Sequence, residues 1–391
     1  MRLMRRCVVA QGAIKQILVA TFTFSLLQTW LIGSTVADGK QVAPDPNGPE
    51  QSFEHLWKTF DERYALFDAK GIDWDALYRV YRPKVTPATT DDQLFSIMCD
   101  LLRHLNDNHV VLISKNPNRS FSTGYLGYYF SEAGGSPFGG KSPGDVMRKG
   151  PVPKTYSIRE FRETGDGIFA YGWAADHIGY LHFNRVANMD ASRSAIDEIM
   201  AAFRNAKAVI IDIRRNGGGD DRIGKLIADR FADKRRLYMT TEDRTGPEHD
   251  DFAEPKEWYV KPDGPRQFTK RTLLLTDRTS ISAAENFALA MKTLPHVVQI
   301  GDFTSGCFAD PDHYKLPNGW GVTVSRNVFR DHHGFCWEGI GVPPEIWQPT
   351  TRADVEQERD PVFELALAII DSGGIEPKRI TRAPAQRKDE E

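Results

Sequence analysis

The chain has 391 residues, and its 50 Lys and Arg against 53 Asp and Glu leave a net charge of −3. A balance so close to neutral, without a basic run, offers no general attraction to nucleic acid or acidic lipid. With 40% hydrophobic residues, including 22 Phe, 12 Tyr and 8 Trp, the chain can bury a large core and does not have the composition of a disordered segment.

In chain order, residues 1–37 read as a signal peptide. Arg2, Arg5, Arg6 and Lys15 precede an apolar run over 17–33, and Thr35, Val36 and Ala37 offer a cleavage point of small residues. This predicts an exported protein, periplasmic or extracellular, with no stable membrane insertion after signal removal. An uncleaved anchor is the weaker alternative, because Thr21, Thr23, Ser25 and Gln28 dilute the run. Residues 38–50 are rich in Pro, Gly and Asp and read as a linker. Over 51–110, Phe53, Leu56, Trp57, Phe60, Tyr64 and Phe67 recur at helical spacing, Asp73 stands before a second helix at Trp74, and Thr90 with Gln93 forms a capping-box pattern before Leu94, Met98 and Leu101. These make an N-terminal helical unit. Residues 111–176 read as a β-rich insert, with strands at 125–130 and 168–173 between Gly and Pro interruptions.

Residues 177–350 alternate in period. Strands are expected at 179–183, 208–213, 272–276 and 297–300, with helices at 191–203, 222–231 and 282–291, which argues for an α/β core. Residues 351–391 read as a helix over 354–371 and a charged tail.

Three stretches carry candidate chemistry. The apolar strand ending Asp212-Ile213-Arg214-Arg215-Asn216-Gly217-Gly218-Gly219 puts bare backbone amides at the end of a strand, where they could hold an oxyanion or simply accommodate positive φ. The overlapping 219–225 segment has phosphate-loop spacing up to Lys225. However, Leu226 stands where a hydroxyl is required, and Asp220 and Asp221 would repel phosphate. Ser282 lies between an expected strand and an expected helix, so its hydroxyl is placed either as a nucleophile or, with Glu285 three residues on, as a helix cap. His109, at the end of the helical unit, has the residue type that a Ser nucleophile needs as a base.

Together these segments resemble the C-terminal-processing, or tail-specific, serine peptidases, in their tricorn-core and interphotoreceptor retinoid-binding-like branch. The resemblance runs from Phe53 to His109, through 178–181, 212–219, 280–285 and 301–306, to Gly339-Ile340-Gly341-Val342-Pro343-Pro344-Glu345-Ile346. It implies a crotonase-like repeated β-β-α core and a serine endopeptidase working through an acyl-enzyme on peptide or protein substrates, without metal or cofactor. Carried over by position, Ser282 is the nucleophile, and the Ala283 amide with Gly217 or Gly218 forms the oxyanion hole. Cys307 stands where the Lys-dependent branch has its base, so the base becomes His109, oriented by Glu338 and by Asn108, which replaces a Ser of the tricorn branch. The peptide-gripping module common in relatives is absent from 110–176.

Two alternatives share these residues. Relatives such as the interphotoreceptor retinoid-binding proteins hold apolar ligands on the same core without catalysis. A zinc site from Cys307, His313, His333 and Cys336 is the other, although in an exported chain Cys307 and Cys336 are expected to form a disulfide, with Cys99 a buried thiol.

Overall fold

The computed structural model describes residues 45–115, 118–124, 158–165 and 167–373. The expected signal segment, most of the linker, the strand expected at 125–130, most of the segment expected to lack the peptide-gripping module, and the charged tail lie outside the described residues.

The helical unit is α1 (Pro49–Arg63), α2 (Phe67–Lys70), α3 (Trp74–Tyr81) and α4 (Asp91–Arg103). Asp73 caps α3 by accepting the Ala76 N–H at 2.8 Å, and Thr90 and Gln93 form the expected capping box at α4. Phe53, Leu56, Phe60, Met98, Leu101 and Leu102 are fully buried. Burial of each such side chain stabilises by about 1.5–3 kcal/mol, which orders helices too short to be stable alone.

Their core continues into a small antiparallel sheet of order β11-β12-β1-β2, made by β1 (Val111–Lys115), β2 (Asn118–Ser122), β11 (Pro311–Lys315) and β12 (Gly321–Ser325). Leu112 pairs with Val322 across more than half the chain. A second antiparallel sheet joins β7 (Arg236–Asp243), β8 (Lys256–Val260) and β13 (Asn327–Asp331).

The largest sheet has order β14-β10-β9-β6-β5-β4-β3. Its strands β5 (Ile178–Phe183), β6 (Ala208–Asp212), β9 (Thr272–Thr276), β10 (Val297–Gly301) and β14 (Ile346–Trp347) run parallel. Strands β3 (Arg159–Glu163) and β4 (Phe169–Ala175) complete one edge antiparallel. Alternate side chains serve opposite faces. Val209, Ile211 and Leu274 pack under α5 (Met189–Ala202), α6 (Asp221–Asp229) and α7 (Ala283–Lys292). Ile210, Leu273 and Leu275 meet Val362, Phe363, Ala366 and Ile369 of the last helix on the other face. Burial on both faces explains why β6 and β9 read as unbroken apolar runs.

Three readings need correction. The stretch between Phe231 and Thr272, where no strand was expected, contains β7 and β8, and 311–331 contains three strands where none was expected. The insert is not separate, because β4 pairs with β5 across the expected boundary at 176. The helix expected over 354–371 is two, α8 (Arg352–Glu356) and α9 (Pro361–Asp371). Pro361 has no N–H to donate and suits the first turn of a new helix, which Asp360 caps through the Phe363 N–H at 3.0 Å. Among the described residues no helix is long and apolar enough to cross a membrane.

Candidate active site

The carboxyl ends of parallel strands collect the loops that bind ligands in open α/β sheets. Here the ends of β6, β9 and β10 lead into the turns at 213–219, 277–282 and 302–307. Ser282 sits between β9 and α7 with φ 58° and ψ −125°, a conformation that costs a non-glycine residue on the order of 1–3 kcal/mol. The elbow is fastened to the neighbouring turn by Ser280 Oγ donating to the Ile213 carbonyl at 2.9 Å, the Arg215 N–H to Thr279 Oγ1 at 2.8 Å, and the Ile281 N–H to the Asn216 carbonyl at 2.9 Å.

Ser282 is the N-cap of α7 and forms its capping box with Glu285. The Ser282 carbonyl accepts the Glu285 N–H at 2.7 Å, and the Glu285 carboxylate accepts the Ser282 N–H at 3.1 Å. Ser282 itself is only partly buried. Glu285 does more than cap. It also accepts Thr304 Oγ1 at 2.6 Å, the Gly306 N–H at 2.7 Å and the Cys307 N–H at 2.8 Å. Complete burial pushes its carboxyl up to about 7, against the pull of these donors.

The amides expected to form the oxyanion hole divide. Ala283 N–H, at the first helical position, has no acceptor among the described residues, as first-turn amides do. Gly217 N–H is committed to the Asn184 carbonyl at 3.0 Å and Gly218 N–H to Asn216 Oδ1 at 2.9 Å. Among the described residues the amide of the glycine run without an acceptor is that of Gly219: the Gly218 carbonyl and the Asp220 N–H on either side of it both pair with Val186, so its own N–H points away from that segment. Gly218 is the close approach. A Cβ there would lie 2.7 Å from Ser282 Cβ and 3.0 Å from the Ala283 nitrogen.

On the opposite side of the site, His109 is half-buried and follows α4. Its N–H donates to Asp107 Oδ1 at 2.9 Å, its carbonyl accepts Thr323 Oγ1 at 2.5 Å, and its Nδ1 is buried without a partner. Glu338 is buried. Its Oε2 accepts the Phe308 and Ala309 N–H groups at 2.8 and 2.9 Å, and its Oε1 has no partner. Burial, and after it the nearby Asp107 carboxylate, push Glu338 up to about 8, while Lys70 and the two amides pull it back. The Asn108 amide nitrogen donates to the carbonyl and hydroxyl of Ser305, each at 3.3 Å. No hydrogen bond joins His109 to Ser282 or to Glu338.

What draws these residues together is the segment 304–309. Asn108 holds Ser305, whose N–H donates to the Ser280 carbonyl at 3.0 Å. Glu285 holds Thr304, Gly306 and Cys307, and Glu338 holds Phe308 and Ala309. Sequence reasoning missed Asp107 and Ser305, and it saw in Glu285 only a cap.

Cys307, Cys336 and Cys99 are free thiols, so the expected disulfide is not formed. Burial pushes the Cys307 thiol up, Cys336 up to about 11 and Cys99 up to about 12. His313 and His333 are exposed, and among the described residues no three His, Cys, Asp or Glu side chains gather as a metal site. At the rejected phosphate loop, Asp220 already occupies the start of α6, accepting the Arg222 N–H at 2.9 Å.

Residues 177–347 match the model of peptidase family S41, and residues 45–103 match that of the tricorn protease C1 domain. Among solved structures, a candidate peptidase from Parabacteroides merdae ATCC 43184 is similar at 28% identity, covering 83% of this chain and 96% of that one, with a TM-score of 0.69. Mature CPAF, solved in complex with lactacystin, is similar at 13% identity over 83% of this chain and 97% of that one, with a TM-score of 0.60, which is a likeness of fold.

Proposed function

We propose that this chain, whose residues 177–347 match the model of peptidase family S41, is a serine-type peptidase with Ser282 as its nucleophile and His109 as its base, and that it is an exported endopeptidase with a crotonase-like core. The observation that carries the reading is the elbow: a serine at positive φ between β9 and α7, next to the Ala283 amide, which has no acceptor among the described residues, and packed against the glycine turn at Gly218. Ser282 Oγ attacks the peptide carbonyl carbon while His109 takes its proton. The carbonyl oxygen, now negative, is held by the Ala283 and Gly219 amides. The C–N bond then breaks, His109 returns the proton to the leaving amine, and water repeats the sequence on the acyl-enzyme. Glu338 orients His109, each contributing a buried polar atom that lacks a partner in the free protein. Catalytic hydrogen bonds commonly tighten only when substrate binds. Asn108 acts at one remove, fixing the Ser305 loop from the residue next to His109.

A fluorophosphonate probe with peptide mapping tests this. The wild type should be labelled at Ser282, and Ser282→Ala should lose labelling and peptide cleavage while staying folded. Cleavage surviving in the variant would sink the nucleophile assignment, and an unlabelled wild type would favour the non-catalytic binder built on the same core.

A further inference from the structure

Arg214 is 7% exposed and is enclosed by two carboxylates. Its Nε and Nη2 donate to Asp212 at 2.9 and 2.7 Å, and its Nη1 and Nη2 donate to Asp360 at 2.8 and 2.7 Å. Tyr180 closes the group by donating its hydroxyl to Asp212 at 3.1 Å. Asp360 comes from outside the 177–347 family match, and α9, which it caps, supplies no residue to the active site. Burial would raise the Asp360 carboxyl, but the Arg214 guanidinium holds it below its usual range.

This arrangement is not needed to dock the helix. Val362, Phe363, Ala366 and Ile369 bury α9 against the sheet by themselves, and Asp212 already neutralises Arg214. A buried ion pair is in general weak evidence for stability, and its better-supported use is to fix geometry. The geometry it fixes is the turn 213–216. Arg215 has φ 64°, and Ile213, Arg215 and Asn216 make the three hydrogen bonds that hold residues 279–281 immediately before Ser282.

We propose that Asp360 is a positioning residue for catalysis: through Arg214 it sets the turn that holds both the Ser282 elbow and the glycine amides. The inference rests on the Ser282 reading above.

The test compares two variants on α9. Asp360→Asn keeps the side-chain size and an acceptor for the Phe363 N–H, but removes the charge facing Arg214. Val362→Ala loosens the same helix without touching Arg214. With a fluorogenic peptide cleaved by the wild type, Asp360→Asn should lower kcat roughly tenfold or more with KM within about twofold, and should slow fluorophosphonate labelling of Ser282 by a similar factor. Val362→Ala should leave both rates near wild type, even where its thermal midpoint falls as far. If Asp360→Asn does not fold, Asp360→Glu, which keeps the charge and shifts it by one methylene, carries the same comparison. Labelling of the Asp360 variant at the wild-type rate, or an equal loss in Val362→Ala, would overturn the inference while leaving Ser282 in place. A wild type that takes no label at Ser282 would remove the nucleophile reading and this inference with it.

Discussion

Replacing Glu285 by Gln should damage fold and site together, and the structure sets the size of the effect. The carboxylate accepts two donors on each oxygen, Thr304 Oγ1 and the Gly306 N–H on one, the Cys307 and Ser282 N–H groups on the other. Glutamine offers one oxygen and one NH2, so in either orientation two donors lose their acceptor and face another donor. Each buried group left unsatisfied costs about 1–3 kcal/mol, which predicts a loss of about 2–6 kcal/mol against a typical total stability of about 5–15 kcal/mol. Urea unfolding followed by circular dichroism measures the loss, and fluorophosphonate labelling under folded conditions should slow as well, because the Ser282 N–H and the 304–307 loop lose a common anchor. A destabilisation under about 1 kcal/mol with unchanged labelling would refute the view that this carboxylate holds the elbow.

Gly218→Ala should abolish labelling of Ser282 with a loss of stability on the order of 1–3 kcal/mol from its φ of 82° alone, since the new methyl would sit 2.7 Å from Ser282 Cβ and the Ile281 carbonyl; normal labelling would show that the two turns are not in contact. Stability should also fall as pH rises from about 6.5 to 8.5. Burial raises Glu285 to about 7 and Glu338 to about 8, so the folded state holds protons that the unfolded chain has released, and the stabilisation present at low pH is lost as each carboxyl ionises. Buried His182, lowered to about 4, acts in the opposite direction only below its unfolded value of about 6.5. A flat thermal midpoint across that window would contradict the burial assigned to the two carboxyls.

How far the sequence could be read followed the range of the interactions. The α4 capping box, the Asp73 cap and the strands at 208–212 and 272–276 depend on neighbours within a few residues or on burial of both faces, and both leave local patterns. Strands β11 to β13 and β7 to β8 do not, because their partners are distant: Leu112 meets Val322, and Asn327 meets Asp243. Their solvated faces also carry Arg, Lys, Asp and Glu, so composition pointed to loop. In the site, Ser282, His109 and Glu338 are proposed from motif, and nothing in the sequence shows that Asn184 and Asn216 take the amides of Gly217 and Gly218. The Cys307–Cys336 bridge was inferred from compartment and spacing, neither of which contains the packing that leaves both thiols free.

The chemistry at Cys307 bears on which residue can act as base. Cys307 is a thiol whose proton is held by burial and by the neighbouring Glu338 and Glu285 carboxyls, so it cannot take a proton from Ser282 near neutral pH. The lysines do not replace it. Lys70 donates to the Leu105 and Asn106 carbonyls at 2.8 and 2.9 Å, Lys225 is paired with Asp229 on α6 at 2.5 Å, and Lys315 is exposed on β11. The Glu285 carboxylate is filled by four donors, two on each oxygen. His109, next in the chain to Asn108, which bonds Ser305, has a buried ring nitrogen with no partner among the described residues and is by residue type able to take and return a proton. On the proposed assignment of His109 as base, the 304–309 segment serves as the strut between the two sides of the site, since Ser305 bonds Asn108 beside His109 and the Ser280 carbonyl two residues before Ser282.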